Sequence, residues 1–177
     1  VQPRERLTAI VLGDGAGRAA TDSALAARRY AGRVLIAERD AGTREALEAS
    51  PLPADLAVVD CDWAEPLAAA ALLEHVDSDW AVFLSPGESL LADDDAALAR
   101  ELRTLPPGPV ELGVGERAET RMHPPGAGAL AAIGGPSTVR LRHLRIGPLP
   151  RDIALPQPRV PESAEPRNHD EEGHRQR

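Results

Sequence analysis

Short apolar segments alternate with helix-like segments as far as about residue 115, and this alternation constrains the fold more than any other feature of the sequence. The apolar segments, which predict β-strands, are residues 7–12, 34–37, 56–59, 80–84 and 110–114. Strands that alternate with helices are joined by right-handed crossovers and pair in parallel. The sequence therefore predicts an α/β fold of three layers (αβα) around a mostly parallel, doubly wound sheet.

Capping residues and acids delimit the predicted helices. Thr21 or Asp22 is the expected N-cap of the first helix, and Gly32 ends it. A second helix is expected at residues 43–50, and a third at 65–76 that is apolar almost all round and hence buried. Three consecutive acids, residues 93–95, open a fourth helix that runs to about residue 105, where they complement the helix dipole.

Composition limits the classes of function. The 177 residues suit one domain, and 42% hydrophobic residues suffice for a core. The chain has 28 acids against 20 arginines and no lysine, which gives a net charge of −8, and only 2% of its residues are aromatic. Nucleic-acid binding is disfavoured because there is neither a basic face nor a set of stacking platforms.

Cys61 is the single cysteine, so no internal disulfide and no cysteine-based metal site can form within one chain. This usage fits a reducing compartment. No run of 18 apolar residues occurs, and the apolar stretch near the start is too short for a secretory signal. We therefore expect a cytoplasmic protein without a membrane span.

The sequence changes character after about residue 115. Residues 122–137 are rich in Gly and Pro, and residues 138–146 alternate like an edge strand with Arg140, Arg142 and Arg145 on one face. Proline and charge dominate beyond residue 148. We predict a folded domain over residues 1–150 and a Pro-rich, charged, disordered tail over residues 151–177, because the tail has few apolar residues to bury.

Candidate ligand-binding residues follow the predicted strands. In doubly wound sheets, ligands bind at the carboxyl ends of the strands, where the strand order reverses. We expect Gly13, Glu38, Asp40, Asp60 and Ser85 to lie together at one edge of the sheet. Ser85 is a poor candidate nucleophile because the sequence offers it no partner histidine at a suitable spacing.

Four segments, in order, carry a resemblance to a known family: "LTAIVL", "IAERDAGTREALEAS", the Asp62-Trp63 pair, and "LLEHVDSDWAVFLSPGESL". Together they resemble the N-terminal half of family-2 glycosyltransferases, which have the GT-A fold, over residues 7–115. The resemblance implies a GT-A-like, Rossmann-like domain of a bacterial enzyme type. It also implies binding of a nucleotide-sugar donor and transfer of its sugar to an acceptor.

The resemblance implies a set of nucleotide-binding residues. After the second strand the family has a pattern similar to D-S-x-S-x-D-G-T, whose acids bind base and ribose. Asp40, Gly42 and Thr43 fall on its D-G-T part with one inserted residue, and Glu38 falls near its first acid. The full set implied is Glu38, Asp40, Gly42, Thr43, Gly13 and Ser85.

The metal-binding motif of the family is degenerate in this chain. The fourth strand of the family ends in a pattern similar to L-D-A-D-E, whose aspartates hold Mg²⁺ or Mn²⁺ against the donor diphosphate. Ser85 and Gly87 fall on these aspartates, so only Glu88 remains as a weak metal ligand. The sequence assigns no cofactor with certainty and gives Mg²⁺ or Mn²⁺ poor support. No catalytic base is identified, because Asp152 and Asp170 lie in Pro-rich or tail sequence.

Other polar groups have two interpretations each. The loop at residues 13–18, "GDGAGR", is a phosphate-binding loop similar to G-G-x-G-x-R of sugar-phosphate nucleotidyltransferases, or a plain Gly-rich turn. Asp60 and Asp62 mimic a metal site, or form a solvated turn in which Asp62 caps a helix.

Trp63 and Trp80 are expected in the core. The histidines are isolated surface or helix-end residues: His75, His123, His143, His169 and His174.

Three functional hypotheses therefore remain open. The chain is a family-2-like glycosyltransferase with an unusual donor site, or a non-catalytic degenerate homologue that binds a nucleotide or a protein partner. The residues favour the second hypothesis, because the metal-binding pair is lost. A sugar-phosphate nucleotidyltransferase is the third hypothesis, and the absence of lysine counts against it.

Overall fold

The computed structural model describes residues 3–126, 133 and 135–150. The helices are α1 Pro3–Arg6, α2 Gly17–Ala27, α3 Ala41–Glu48, α4 Pro66–Glu74 and α5 Asp95–Thr104. The strands are β1 Leu7–Gly13, β2 Arg33–Glu38, β3 Leu56–Asp60, β4 Trp80–Leu84, β5 Glu88–Leu91, β6 Val110–Val114, β7 Arg117–His123 and β8 Val139–Pro148. Within the described residues, no helix has the length and apolar character needed to cross a membrane.

One mixed sheet contains all the described strands, in the order β3-β2-β1-β4-β7-β6-β8-β5. Strands β3, β2, β1 and β4 are parallel. Three of the remaining pairs, β4–β7, β7–β6 and β8–β5, are antiparallel, whereas β6 and β8 are parallel. The predicted α/β class is confirmed, whereas the sheet, predicted to be mostly parallel, is mixed, and its pairing is uniformly parallel only among β3, β2, β1 and β4.

Side chains alternate between the two faces of the sheet and pack against helices on each face. Val11, Ile36 and Leu84 belong to a core cluster that includes buried residues of α2, α3 and α5. The neighbouring residues along the strands, such as Ile10 and Phe83, form a second cluster with α4. The near-continuous apolar runs of the parallel strands are explained by this burial on both faces.

Strand β8 is not the edge strand that its sequence predicted, because it lies between β6 and β5. Leu141, Leu144 and Ile146 are buried in the core, while Arg140 and Arg142 are exposed. An internal strand with one solvated face has the same alternation as an edge strand, so the pattern does not distinguish the two positions. The edges of the described sheet are β3 and β5.

The start of α2 differs from its prediction, whereas the start of α5 agrees with it. Helix α2 begins at Gly17 after Ala16, and no side chain caps it; Thr21 lies inside the helix and its hydroxyl donates to the Gly17 carbonyl at 2.8 Å. A hydroxyl that bonds four residues back is compatible with a helix interior, so Thr21 was a misleading cap signal. The predicted acidic start of α5 is confirmed, since the Asp94 carboxylate accepts from the backbone N–H groups of Ala96 and Ala97.

Glu101 of α5 holds an irregular stretch of β8. Its two carboxylate oxygens accept from the backbone N–H groups of Arg142 (2.8 Å) and His143 (2.9 Å), where the pairing of β6 with β8 shifts register. We expect Glu101→Gln to lower the free energy of unfolding by about 1 kcal/mol, because an amide accepts only through its single oxygen. Urea unfolding measures this, with Glu48→Gln, at an exposed residue of α3, as the control. An equal effect of both changes would contradict this role of Glu101.

Candidate functional site

The register of the parallel strands brings the predicted site residues to one edge of the sheet. Gly13 pairs with Glu38, and Glu38 pairs with Asp60. Val11 pairs with Leu84, so Ser85 follows β4 at the same level. The predicted grouping at the carboxyl ends is therefore confirmed, and the strand order reverses there between β1 and β4.

Glu38 is fully buried and connects two loops at this edge. Its Oε1 atom accepts from the backbone N–H groups of Gly15 (3.0 Å) and Asp40 (2.9 Å). Its Oε2 atom has no hydrogen-bond partner among the described residues, and a Cβ on Gly13 would clash with it. The Gly13–Glu38 contact thus requires glycine at position 13, and in this conformation the carboxylate of Glu38 holds the backbone rather than offering a surface to a ligand.

Asp40 is the N-cap of α3, and its partner in the cap is Thr43. The Asp40 carboxylate accepts from the Thr43 backbone N–H at 2.8 Å, and the Thr43 hydroxyl donates to the Gly15 carbonyl at 3.5 Å. Hydrogen bonds from the side chain and backbone of Thr43 lower the pKa of Asp40. Gly42 lies exposed in the first turn. These contacts fix the start of α3 and tie it to the loop that follows β1.

The pKa of Asp40 predicts a pH-dependent cap. Because this pKa is lowered by folding, the charged cap stabilises the fold above the unfolded-state pKa, and the contribution is lost as pH falls through the folded-state pKa. We expect Asp40→Asn to be less stable than the unaltered protein at about pH 7, and the deficit to close as pH falls below about 4. Urea unfolding at several pH values measures it, with Asp14→Asn as the control. A deficit independent of pH would contradict the assignment.

Glu88, the residue predicted as a weak metal ligand, forms a bidentate ion pair with Arg121. The two guanidinium Nη atoms donate to the two carboxylate oxygens at 3.1 Å each, and the Ser85 backbone N–H donates to Oε2 at 2.7 Å. Arg121 Nε also donates to Glu119 at 2.8 Å. Burial lowers the pKa of Arg121, but its hydrogen bonds to Glu88 and Glu119 outweigh burial and raise the pKa overall. Arg121 therefore stays charged.

The residues at the end of β4 do not fit a metal site. Both carboxylate oxygens of Glu88 are bonded to Arg121, and Gly87 has a φ of +90°. Within the described ranges, no group of three or more His, Cys, Asp or Glu residues is arranged to hold a metal ion. The Asp60 carboxylate pairs with Arg44, and Glu65, not Asp62 as predicted, is the N-cap of α4.

A cleft of about 320 Å³ lies at the ends of β1 and β4, beside the neighbouring strand β7. Trp63 is partly buried against the second core cluster, in agreement with the prediction, and it also lines this cleft, while Trp80 is buried as predicted. The Trp63 indole N–H donates to the Gly13 carbonyl at 2.7 Å, and the Arg39 guanidinium lies 5.4 Å from the ring centroid. The lining residues are Leu12, Trp63, Ala69, Phe83, Ser85, Thr120, Arg121, His123 and Ile133.

Sequence reasoning missed the contribution of β7 to the cleft. Strand β7 follows β6 in a hairpin, with Val114 paired to Arg117 across Gly115, whose φ is +59°. A glycine at the tip of a two-residue turn was the available signal for this hairpin. It brings Arg121 and His123 to the cleft.

The histidines have different environments. His123 is buried, and its ring packs edge-on against Phe83 with centroids 5.6 Å apart, so it is not the isolated residue that was expected. His75 is the exposed C-cap of α4, as predicted. The predictions for the tail, including Asp152, His169, Asp170 and His174, fall on residues 151–177, which lie outside the described residues.

No protein-family model matches the chain, and no curated protein matches it significantly.

Proposed function

We propose that the chain binds a nucleotide or nucleotide-sugar in the cleft at the ends of β1 and β4, beside β7, without a bound metal ion, as a non-catalytic relative of family-2 glycosyltransferases. The parallel order β3-β2-β1-β4, helices on both faces and a cleft at the point of strand reversal support a GT-A-like, doubly wound αβα arrangement. Beyond β4 the sheet becomes mixed, so this proposal concerns the N-terminal half.

The Glu88–Arg121 ion pair is the observation that carries the proposal. A metal ion at the end of β4 would have to displace a guanidinium that is bonded to both oxygens of Glu88. Ser85 and Gly87, at the positions that resemble the metal-binding aspartates, supply no carboxylate. The charge that develops on a leaving diphosphate would therefore lack the usual divalent cation, which favours binding over sugar transfer.

Calorimetric titration with uridine and guanosine diphosphates, and with their sugar conjugates, tests the proposal. We expect one or more of these ligands to bind, with an affinity that changes by less than about twofold between Mn²⁺ and EDTA, because the part of the chain that the structure describes has no carboxylate cluster to anchor the ion. A sugar acceptor mixture added to the same samples is expected to yield no transfer product. Binding that is about tenfold tighter with Mn²⁺, metal-dependent transfer, or no binding of any nucleotide would contradict the proposal.

A further inference from the structure

Trp63 is held rigidly in the wall of the cleft. Its indole N–H donates to the Gly13 carbonyl at 2.7 Å, and the Arg39 guanidinium lies 5.4 Å from its ring centroid. A cation over an aromatic ring and a hydrogen bond at its edge together fix the orientation of that ring. Because Trp63 also lines the cleft, a fixed aromatic surface is presented to a ligand.

The remaining lining divides into an apolar part and a polar part. Leu12, Ala69, Phe83 and Ile133 form the apolar part together with Trp63, and the volume of about 320 Å³ lies within the range of small-molecule sites. Such a lining suits a flat, largely apolar ring system. A nucleobase has this shape, and stacking on an aromatic side chain is the usual way to bind a base without discriminating among the different bases.

The polar part of the cleft is poorly suited to a diphosphate. Arg121 is the one arginine among the described lining residues, and its guanidinium is already bonded to Glu88 and Glu119. These three side chains carry two negative charges against one positive charge. The chain also has no lysine that would supply another compact cation. Arg39, over the Trp63 ring, is not among the described lining residues, so the lining itself offers a phosphate group no arginine that is free of a carboxylate partner.

We propose that Trp63 is the stacking platform for the base of the bound nucleotide, and that the nucleoside part supplies most of the affinity while the diphosphate adds little. This inference rests on the proposed function and specifies which part of the ligand is recognised. It predicts that nucleosides bind nearly as tightly as their diphosphates and that inorganic pyrophosphate does not compete. Loss of the Trp63 ring should lower the affinities for nucleosides and for their diphosphates by the same factor.

Fluorescence provides the direct test, because the chain contains only two tryptophans. The Trp80→Phe variant leaves Trp63 as the single tryptophan, and stacking of a base should quench its emission. Titrations with uridine, guanosine, their diphosphates and pyrophosphate are expected to give nucleoside and diphosphate affinities within about threefold of each other. Trp63→Leu, measured by calorimetry, is expected to weaken binding about tenfold or more.

Trp63→Phe is the matched variant, because phenylalanine keeps a stacking ring but loses the indole N–H bonded to Gly13. It should retain most of the affinity that Trp63→Leu loses, and thermal unfolding of both variants checks that the fold is intact. A diphosphate that binds about tenfold tighter than its nucleoside, competition by pyrophosphate, or unaltered binding by Trp63→Leu would overturn the inference while leaving the proposed function standing. Failure of every nucleoside and nucleotide to bind the unaltered protein would instead overturn the proposed function. If Trp63→Leu does not fold, the comparison of nucleoside with diphosphate on the unaltered protein still decides the matter.

Discussion

The Arg121→Met variant is expected to lose about 2–3 kcal/mol of unfolding free energy. The guanidinium is bonded to Glu88 and Glu119, and its side chain is 18% exposed. Removing it leaves two carboxylates side by side in a partly buried site with no cation between them. Breaking a fully buried pair in this way costs about 3–5 kcal/mol, and the partial exposure here reduces that cost. Urea unfolding at neutral pH measures the loss.

Arg117→Met is the matched control, because Arg117 lies on the same strand and is exposed. Its replacement should change the stability by less than about 0.5 kcal/mol. A double-mutant cycle with Glu88→Gln measures the interaction energy of Glu88 with Arg121. Glu88→Gln should destabilise the Arg121→Met variant much less than it destabilises the unaltered protein. Equal losses for Arg121→Met and Arg117→Met would show that the ion pair does not stabilise the strand end.

The combined change Ser85→Asp with Arg121→Met is expected to create a Mn²⁺ site at the end of β4. It releases Glu88 and Glu119 from the guanidinium and adds a third carboxylate at a residue that lines the cleft. Oxygen ligands of this kind bind Mn²⁺. At a metal concentration about 100 times the dissociation constant, binding should stabilise the variant by about 2.7 kcal/mol. Thermal unfolding with and without Mn²⁺ measures this gain.

Two comparisons make the metal experiment decisive. The unaltered protein should show no stabilisation by Mn²⁺, and Arg121→Met alone should show less than the combined variant, because it has one carboxylate fewer. Position 85 is preferable to Gly87, whose φ of +90° would strain an aspartate and whose N–H donates to the buried Ser23 hydroxyl at 2.8 Å. If Mn²⁺ stabilised the unaltered protein as much as the combined variant, the Glu88–Arg121 pair would not be what keeps a metal ion from this position.

Most of the N-terminal half of the fold was predictable because its signals are local. The apolar runs of β1 to β4 mark strands that are buried on both faces, and Asp94 marks the start of α5. Parallel pairing then followed from the intervening helices. The start of α2 was misplaced because Ala16 offers no capping side chain while Thr21, inside the helix, looks like one.

The C-terminal half was less predictable because its strands depend on their neighbours. Strand β5, Glu88–Leu91, has only four residues and pairs with β8 more than fifty positions later in the chain. Strand β7, Arg117–His123, carries many charged side chains, so its sequence lacks the apolar run of a core strand. Strand β5 forms because a distant strand satisfies its backbone hydrogen bonds, which no local pattern records, and β7 pairs both with its hairpin neighbour β6 and with the distant β4.

The candidate site was likewise predictable in part. Gly13, Glu38, Asp60 and Ser85 were correctly grouped, because parallel strands place their carboxyl ends at one edge regardless of side-chain detail. The partners of those side chains were not predictable. Glu38 bonds the backbone of Gly15, 23 positions earlier, and Trp63 bonds the carbonyl of Gly13, 50 positions earlier.

The sequence by itself determined the α/β class, the core strands and the residues Ser85 to Glu88 that follow β4, because periodicity and residue identity are properties of contiguous segments. Only the tertiary structure decided which group binds the carboxylate of Glu88. Arg121 meets Glu88 across 33 positions because the β6–β7 hairpin places β7 antiparallel to β4. An ion pair between strands that are distant in sequence depends on sheet order and register, and these are set by the packing of the whole chain.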